Sequence, residues 1–228
     1  MVIFIYAEVK LYLNQQKTIR RLVVYILGLF ILALGVSFAI KSRLGISPVN
    51  SIPYVISQVT GTDMGMTVVM VFCVFILLQV ILLRRDFKVK ELLQIACAFG
   101  FGYFLTLSNR LLFFPSPESY IAQLSLMLIS VLLISVGVIM YLVTELIPQP
   151  AEGLCLAIQK ISGWPYSRVK LVFDCVLVAI AALVSLLGTG RLDGVREGTL
   201  IAMFGVGPVI GLLSKAFRDS LARFCMMD

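Results

Sequence analysis

Asn50 and Glu152 occupy matching places in two short polar segments that repeat each other at a constant offset of 102 (152 minus 50). The first segment opens Ser47-Pro48-Val49-Asn50 and the second Pro148-Gln149-Pro150-Ala151-Glu152. Both read as helix starts. Proline lacks the N–H that a first turn leaves unused, and Ser47 offers an oxygen to a free N–H. Two such ends aimed at one spot would present partial positive charge, which favours an anionic group on a solute. Glu152 works against this, because it partly neutralises its own helix end; it can hold a cation or proton, or simply stabilise the dipole. Along the first segment Ser47, Asn50, Ser51, Tyr54, Ser57 and Gln58 share one uncharged polar face, opposite Val49, Ile52, Ile56 and Val59. An interfacial helix shows Lys and Arg on its wet side. An uncharged face fits a water-lined cavity, with a surface-lying connector as the plain alternative.

Few other groups could do chemistry. Asp174 lies about a turn inside an apolar run, four residues after Lys170, so a local ion pair competes with a binding role. The candidate solute-binding set is therefore Ser47, Asn50, Ser51, Gln149, Glu152 and Asp174. Gly205, Gly207 and Pro208 are candidate hinge or packing residues, since Gly205-Val206-Gly207-Pro208 interrupts the last apolar run and Gly207-x-x-x-Gly211 allows close helix approach. The chain has no histidine, and its five cysteines include no CxxC. No nucleophile–base arrangement, disulfide framework or metal-ligand spacing emerges, so the expectation is a non-enzyme without metal or cofactor.

The elements that must position these residues are membrane helices. Hydrophobic residues make up 60% of the 228 and charged residues 14%, and the mean hydropathy is +1.03, well outside the range of a soluble domain. A bilayer core needs about 20 apolar residues of helix. Six stretches qualify: 22–40, 66–83, 92–114, 121–143, 171–187 and 199–213. The segments 47–59 and 149–161 would reach only roughly 20 Å as helices, too short to span. The predicted fold is all-α: six transmembrane helices plus two short re-entrant or membrane-embedded helices.

Residues 35–74 and 137–176 match at the same offset, pairing Gly35/Gly137, Val36/Val138, Leu44/Leu146, Pro48/Pro150, Ile56/Ile158, Gly61/Gly163, Cys73/Cys175 and Val74/Val176. With six spans and the N-terminus inside, only Lys41, Arg43, Arg110, Arg191 and Arg196 of the 19 Lys and Arg residues fall outside. The positive-inside rule favours that arrangement, with both termini inside. Three spans per copy is odd, so the copies must be inverted. The expected organisation is an interfacial or cytoplasmic segment 1–21, a transmembrane domain 22–217 with repeats of about 22–114 and 121–217, and a cytoplasmic tail 218–228. Residues 1–13 read as an interfacial lead-in to an uncleaved first span. The net charge of +7 resides in short loops at helix ends, which suits anionic headgroups rather than nucleic acid.

The run Pro150-Ala151-Glu152-Gly153-Leu154, then Arg168 and Asp174, then Glu197-Gly198-Thr199-Leu200 and Gly207-Pro208, resembles the YczE/YyaS/YitT group of bacterial integral membrane proteins. The resemblance covers nearly all of 22–217. That group's pattern reads Gly-Pro-Arg-Asp-Gly-Leu, an Arg, an acidic residue in the next helix, then Gly-Thr and a late Gly-Pro. Ala151 stands in place of its Arg, and Val49-Asn50 where a Trp-Asp pair is common, which implies a different substrate if those positions touch solute. The resemblance implies a bacterial cytoplasmic-membrane protein with a suspected role in transport.

The sequence thus predicts a multi-pass protein of the cytoplasmic membrane that transports a small solute by alternating access between inverted repeats. The other class is a non-transporting binding or accessory subunit. Its partners are the lipid bilayer and a small-molecule solute, not nucleic acid. Monomer and homodimer both stay open.

Overall fold

The computed structural model describes the backbone of residues 2–226 and the side chains of 18–216, 221, 224 and 225. The side-chain environment expected for 1–13, and most of that for the tail 218–228, lies outside the described residues. Among them the chain is all-helical, with eight α-helices: α1 Val2–Ser42, α2 Pro48–Thr60, α3 Met64–Leu83, α4 Gln94–Leu111, α5 Tyr120–Val143, α6 Pro150–Ser162, α7 Tyr166–Thr189 and α8 Glu197–Met226. Two 3-10 turns, Arg84–Asp86 and Val89–Leu93, link α3 to α4. Six segments are long and apolar enough to cross a membrane, within α1, α3, α4, α5, α7 and α8 and the turns flanking α3 and α4. Their outward side chains, among them Leu77, Ile81, Leu132, Leu183 and Leu187, are large, apolar and exposed, as a lipid solvent demands.

The two short helices have the same local causes. Each is 13 residues long, starts on proline, and stops at a glycine in the left-handed region, Gly61 at φ 70° and Gly163 at φ 69°. The N–H of each cap glycine returns to a helix carbonyl, that of Ser57 or Gln159, at 2.9 Å. A side chain other than glycine would be strained at either stop.

α1 and α5 form the central pair. Arg21 Nε donates to the Thr144 carbonyl (2.8 Å) at one end and Ser42 Oγ meets Met127 Sδ (3.8 Å) at the other, so the two helices run antiparallel. Glycines set their separation. A Cβ on Gly35 would lie 2.8 Å from the Ile134 N, and one on Gly137 2.6 Å from the Leu32 N. Since Ile134 is the repeat partner of Leu32, each copy's glycine rests on the same position of the other copy.

The remaining helices interlock across the copies. α2 packs chiefly on α7, and α6 on α3. Lys160 pairs with Asp86 at 2.8 Å where α6 ends, and Gly188 of α7 closes on Val59 where α2 ends. One difference breaks the pattern. α3 packs along α4, whereas α7 and α8 barely touch among the described residues. An aromatic cluster fills the α3–α4–α7 core, with Phe72 stacked on Phe101 at 5.9 Å between centroids and Phe75 edge-on to Phe173 at 5.6 Å.

α8 corrects one expectation. It runs as one helix through Pro208 rather than breaking there. A Cβ on Gly207 or Gly211 would meet nothing within 4 Å, and one on Gly205 only Val131 at 3.7 Å. Close approach between helices is made by Gly28, Gly35 and Gly137 for α1 and α5 and by Gly65 and Gly102 for α3 and α4, not by the Gly207-x-x-x-Gly211 pair. A proline within a helix removes one backbone donor but does not force a break when the carbonyls it frees find other company. The carbonyl that Pro208 leaves without its donor is that of Phe204, one turn earlier on an exposed residue.

Candidate functional site

Both short helices begin at one cavity of about 590 Å³, walled by α1, α5, α6, α7 and α8 and the α2 start. α7 and α8, which barely touch among the described residues, each supply part of its wall. Ser47, Asn50, Gln149, Glu152, Asp174 and Gly207 all line it, although the first and last stand far apart in sequence. Gly205 and Pro208 are not in its lining, and neither is Ser51. The Ser51 hydroxyl is spent on the Pro48 carbonyl at 2.6 Å, and the residue is fully buried. Tyr54 instead covers Gly194, and Ser57 Oγ donates to the Thr62 carbonyl at 2.7 Å. Only the first turn of the polar face of α2 therefore reaches the cavity.

The helix starts differ from the capping read off the sequence. Ser47 makes no side-chain cap, and neither does Gln149. The Ser47 hydroxyl is taken by Asn50, whose Nδ2 donates to Ser47 Oγ at 3.0 Å. Asn50 is 7% exposed, and its Oδ1 has no partner; Gln149 is 4% exposed, and its Nε2 has none. Glu152 sits at the third helical residue of α6, the place Asn50 holds in α2, and its buried Oε2 is unpaired. Its electrostatic neighbours are Lys170, Tyr141 and Asp174. Buried polar atoms without partners are rare enough in folded chains that several facing one cavity mark a place for water or ligand.

Asp174 takes the plain alternative. Lys170 Nζ donates to its Oδ1 at 2.5 Å within one helical turn, and both residues also line the cavity. Sequence reasoning passed over Tyr141 and Tyr166, which add hydroxyls and ring faces to the wall. Tyr141 hides in an apolar run, and only its polar tip could have marked it.

A second cavity, about 420 Å³, lies on the other face of α6, beside the charged 86–91 turn and Lys160. α6 is the wall between the two. Its first turn is held by a buried amide pair: Gln79 Nε2 donates to Gln94 Oε1 (3.0 Å) and to the Pro150 carbonyl (3.0 Å), and Gln94 Nε2 donates back to Gln79 Oε1 (3.1 Å). Gly153 leaves the space for this pair. Two glutamines inside apolar spans were the sequence signal for it. All five cysteines are free; Cys97, Cys155 and Cys225 are buried, whereas Cys73 and Cys175 are exposed.

Comparison with known proteins agrees with the membrane architecture. The model of a family of unknown function, DUF6198, matches residues 19–215. The chain is 27% identical over 204 residues to the uncharacterized membrane protein YczE of Bacillus subtilis (strain 168), covering 89% of this chain and 93% of that one. It is 28% identical over 183 residues to the uncharacterized protein YyaS of the same organism, covering 78% and 88% of the two. No solved structure matches.

Proposed function

The chain belongs to the DUF6198 family of unknown function, and on that premise we propose that this membrane protein transports a small solute by alternating access between two inverted repeats. The carrying observation is the cavity of about 590 Å³ at which both repeat-related short helices begin, floored by Asn50, Gln149 and Glu152. Solute sites of repeat-built transporters lie between the repeats, where interrupted helices leave polar ends unsatisfied. The antiparallel α1–α5 pair, with Gly35 on Ile134 and Gly137 on Leu32, supports a two-fold axis in the membrane plane. In this reading α2 and α6 are re-entrant, leaving the cavity toward opposite faces of a cytoplasmic membrane, with both termini and the basic 84–90 loop inside. The contrast between the packed α3–α4 pair and the open α7–α8 pair supports a molecule with two arrangements. In the second, α7 and α8 close and α3 and α4 part.

Cysteine accessibility tests this without knowledge of the solute. In a cysteine-less background, Val138→Cys and Val206→Cys should react with an impermeant thiol reagent from either face, in right-side-out and in inverted vesicles. Labelling from one face alone would refute alternating access and leave the binding-subunit reading.

A further inference from the structure

Resting on the transport reading, we propose that the cavity takes an ammonium-bearing solute with an apolar body, and that Glu152 is the carboxylate on which this ammonium and a proton compete. Three formally charged groups line the cavity: Glu152, Asp174 and Lys170. Lys170 is bonded to Asp174 and also acts on Glu152, so the three leave the lining with one negative charge in excess. The helix ends alone favour an anion, but each end supplies only about half a positive charge, and that of α6 lies under Glu152 itself. Together the two ends supply about one positive charge spread over several N–H groups, whereas Glu152 concentrates a full negative charge on one carboxylate. No arginine lines the cavity and its lysine is bonded to Asp174, so the charged fork that best holds a carboxylate is absent from the lining.

Two of the unpartnered buried atoms in the lining, Asn50 Oδ1 and Glu152 Oε2, are acceptors, Asn50 Nδ2 being already held by Ser47, and the Tyr141 hydroxyl stands beside Glu152 as a neighbour able to donate to it. An ammonium brings three donors. Gln149 Nε2, a donor without a partner, is free to take a hydroxyl or carbonyl of the same solute. Tyr141 and Tyr166 add aromatic rings to the wall, and Leu32, Val36, Ile134 and Val138 line the apolar part. The volume falls within the range of small-molecule sites.

Competition with a proton follows from what surrounds the carboxylate. The titratable groups around it are Tyr25 of α1, Cys97 of α4, Tyr141 of α5, Cys155 of α6 itself, and Tyr166, Lys170 and Asp174 of α7. Lys170 is the cation among them, and Asp174 shares it. When Glu152 is protonated, binding an ammonium releases that proton and leaves a carboxylate–ammonium pair; unbinding takes a proton back. Charge balances in each step, so the exchange across the membrane is one ammonium against one proton.

Titration calorimetry on the purified full chain tests this with three probes of like shape: phenethylammonium, 2-phenylethanol and phenylacetate. The expected result is binding of phenethylammonium alone. Its affinity should rise by up to about tenfold per pH unit while Glu152 titrates, with release of up to one proton. Glu152→Gln should lose at least about tenfold in affinity together with the pH slope, at an unchanged melting temperature, and Glu152→Asp should keep the slope. Preference for phenylacetate, binding of none of the probes, or an unchanged slope in Glu152→Gln would each overturn the assignment. Access of Val206→Cys from both faces alongside such a result would leave the transport reading standing. Ammonium binding with one-sided access would instead uphold the ammonium site and refute transport.

Discussion

Replacing Gly153 by alanine should destabilise the protein, although alanine is by far the better helix former. The new Cβ would lie 2.7 Å from Gln79 Oε1, 2.8 Å from Gln94 Nε2 and 2.9 Å from Gln94 Oε1, all closer than ordinary contact. Both glutamines are 1% exposed, so the amide pair has no solvent to retreat into. If the pair parts, its bonds of 3.0 and 3.1 Å are lost while its atoms stay buried. Stranding buried polar groups costs about 1–3 kcal/mol each, and roughly 2–4 kcal/mol covers the two bonds. Alanine returns about 1 kcal/mol of helix propensity. The net loss is about 1–3 kcal/mol, which for a chain of this size lowers the melting temperature by roughly 3–10 °C. A thiol-reactive fluorogenic dye reads the melt through the buried Cys97, Cys155 and Cys225. In a Gln79→Met/Gln94→Met background no amide remains to strand, and the same Gly153→Ala change should be neutral or stabilising. A melting temperature at or above wild type for Gly153→Ala alone, or an equal drop in both backgrounds, would refute the reasoning.

Other glycines should divide by what their Cβ would meet. Gly137→Ala places a methyl 2.6 Å from Leu32 N and 2.7 Å from Gly28 O, both backbone, and should cost about 1–3 kcal/mol in the same melt. Gly207→Ala and Gly211→Ala meet nothing within 4 Å and should be neutral or gain up to about 1 kcal/mol. Lys170→Met alone leaves the Asp174 carboxylate, 9% exposed, without its partner; it should cost on the order of 2 kcal/mol, and the Lys170→Met/Asp174→Asn double change should restore most of it. Asp63→Ala removes the cap whose Oδ1 accepts from Gly65 N at 2.9 Å and also holds Thr106, and should lower stability by about 1–2 kcal/mol. For topology, cysteines placed at Arg84, Arg85 or Lys88 should resist an impermeant reagent in intact cells and react once the membrane is opened. Reaction in intact cells would sink the six-span orientation.

What the sequence determined by itself was set by local physics. Bilayer thickness sets the length of an apolar run, so 22–40, 66–83, 92–114, 121–143, 171–187 and 199–213 each fall within or close to the bounds of a long helix. Proline at 48 and 150 and glycine at 61 and 163 delimit the short helices, because those residues act on their own φ and N–H whatever surrounds them. The repeat offset placed Asn50 and Glu152 at equivalent turns, and both came to the same cavity. Only the tertiary structure decided which polar groups stayed free there. Ser51 carries the same hydroxyl as Ser47, yet one is spent on Pro48 and the other on Asn50. Likewise Gly207 and Gly211 have the spacing of a close contact but face open space, while Gly28, Gly35 and Gly137 form one. In a lipid-facing chain both the core side and the outer side of a helix are apolar, so periodicity does not say how the helix is rotated about its axis. That rotation is chosen by packing between distant segments, and it alone brought Gln79 to Gln94 and Tyr141 to Glu152.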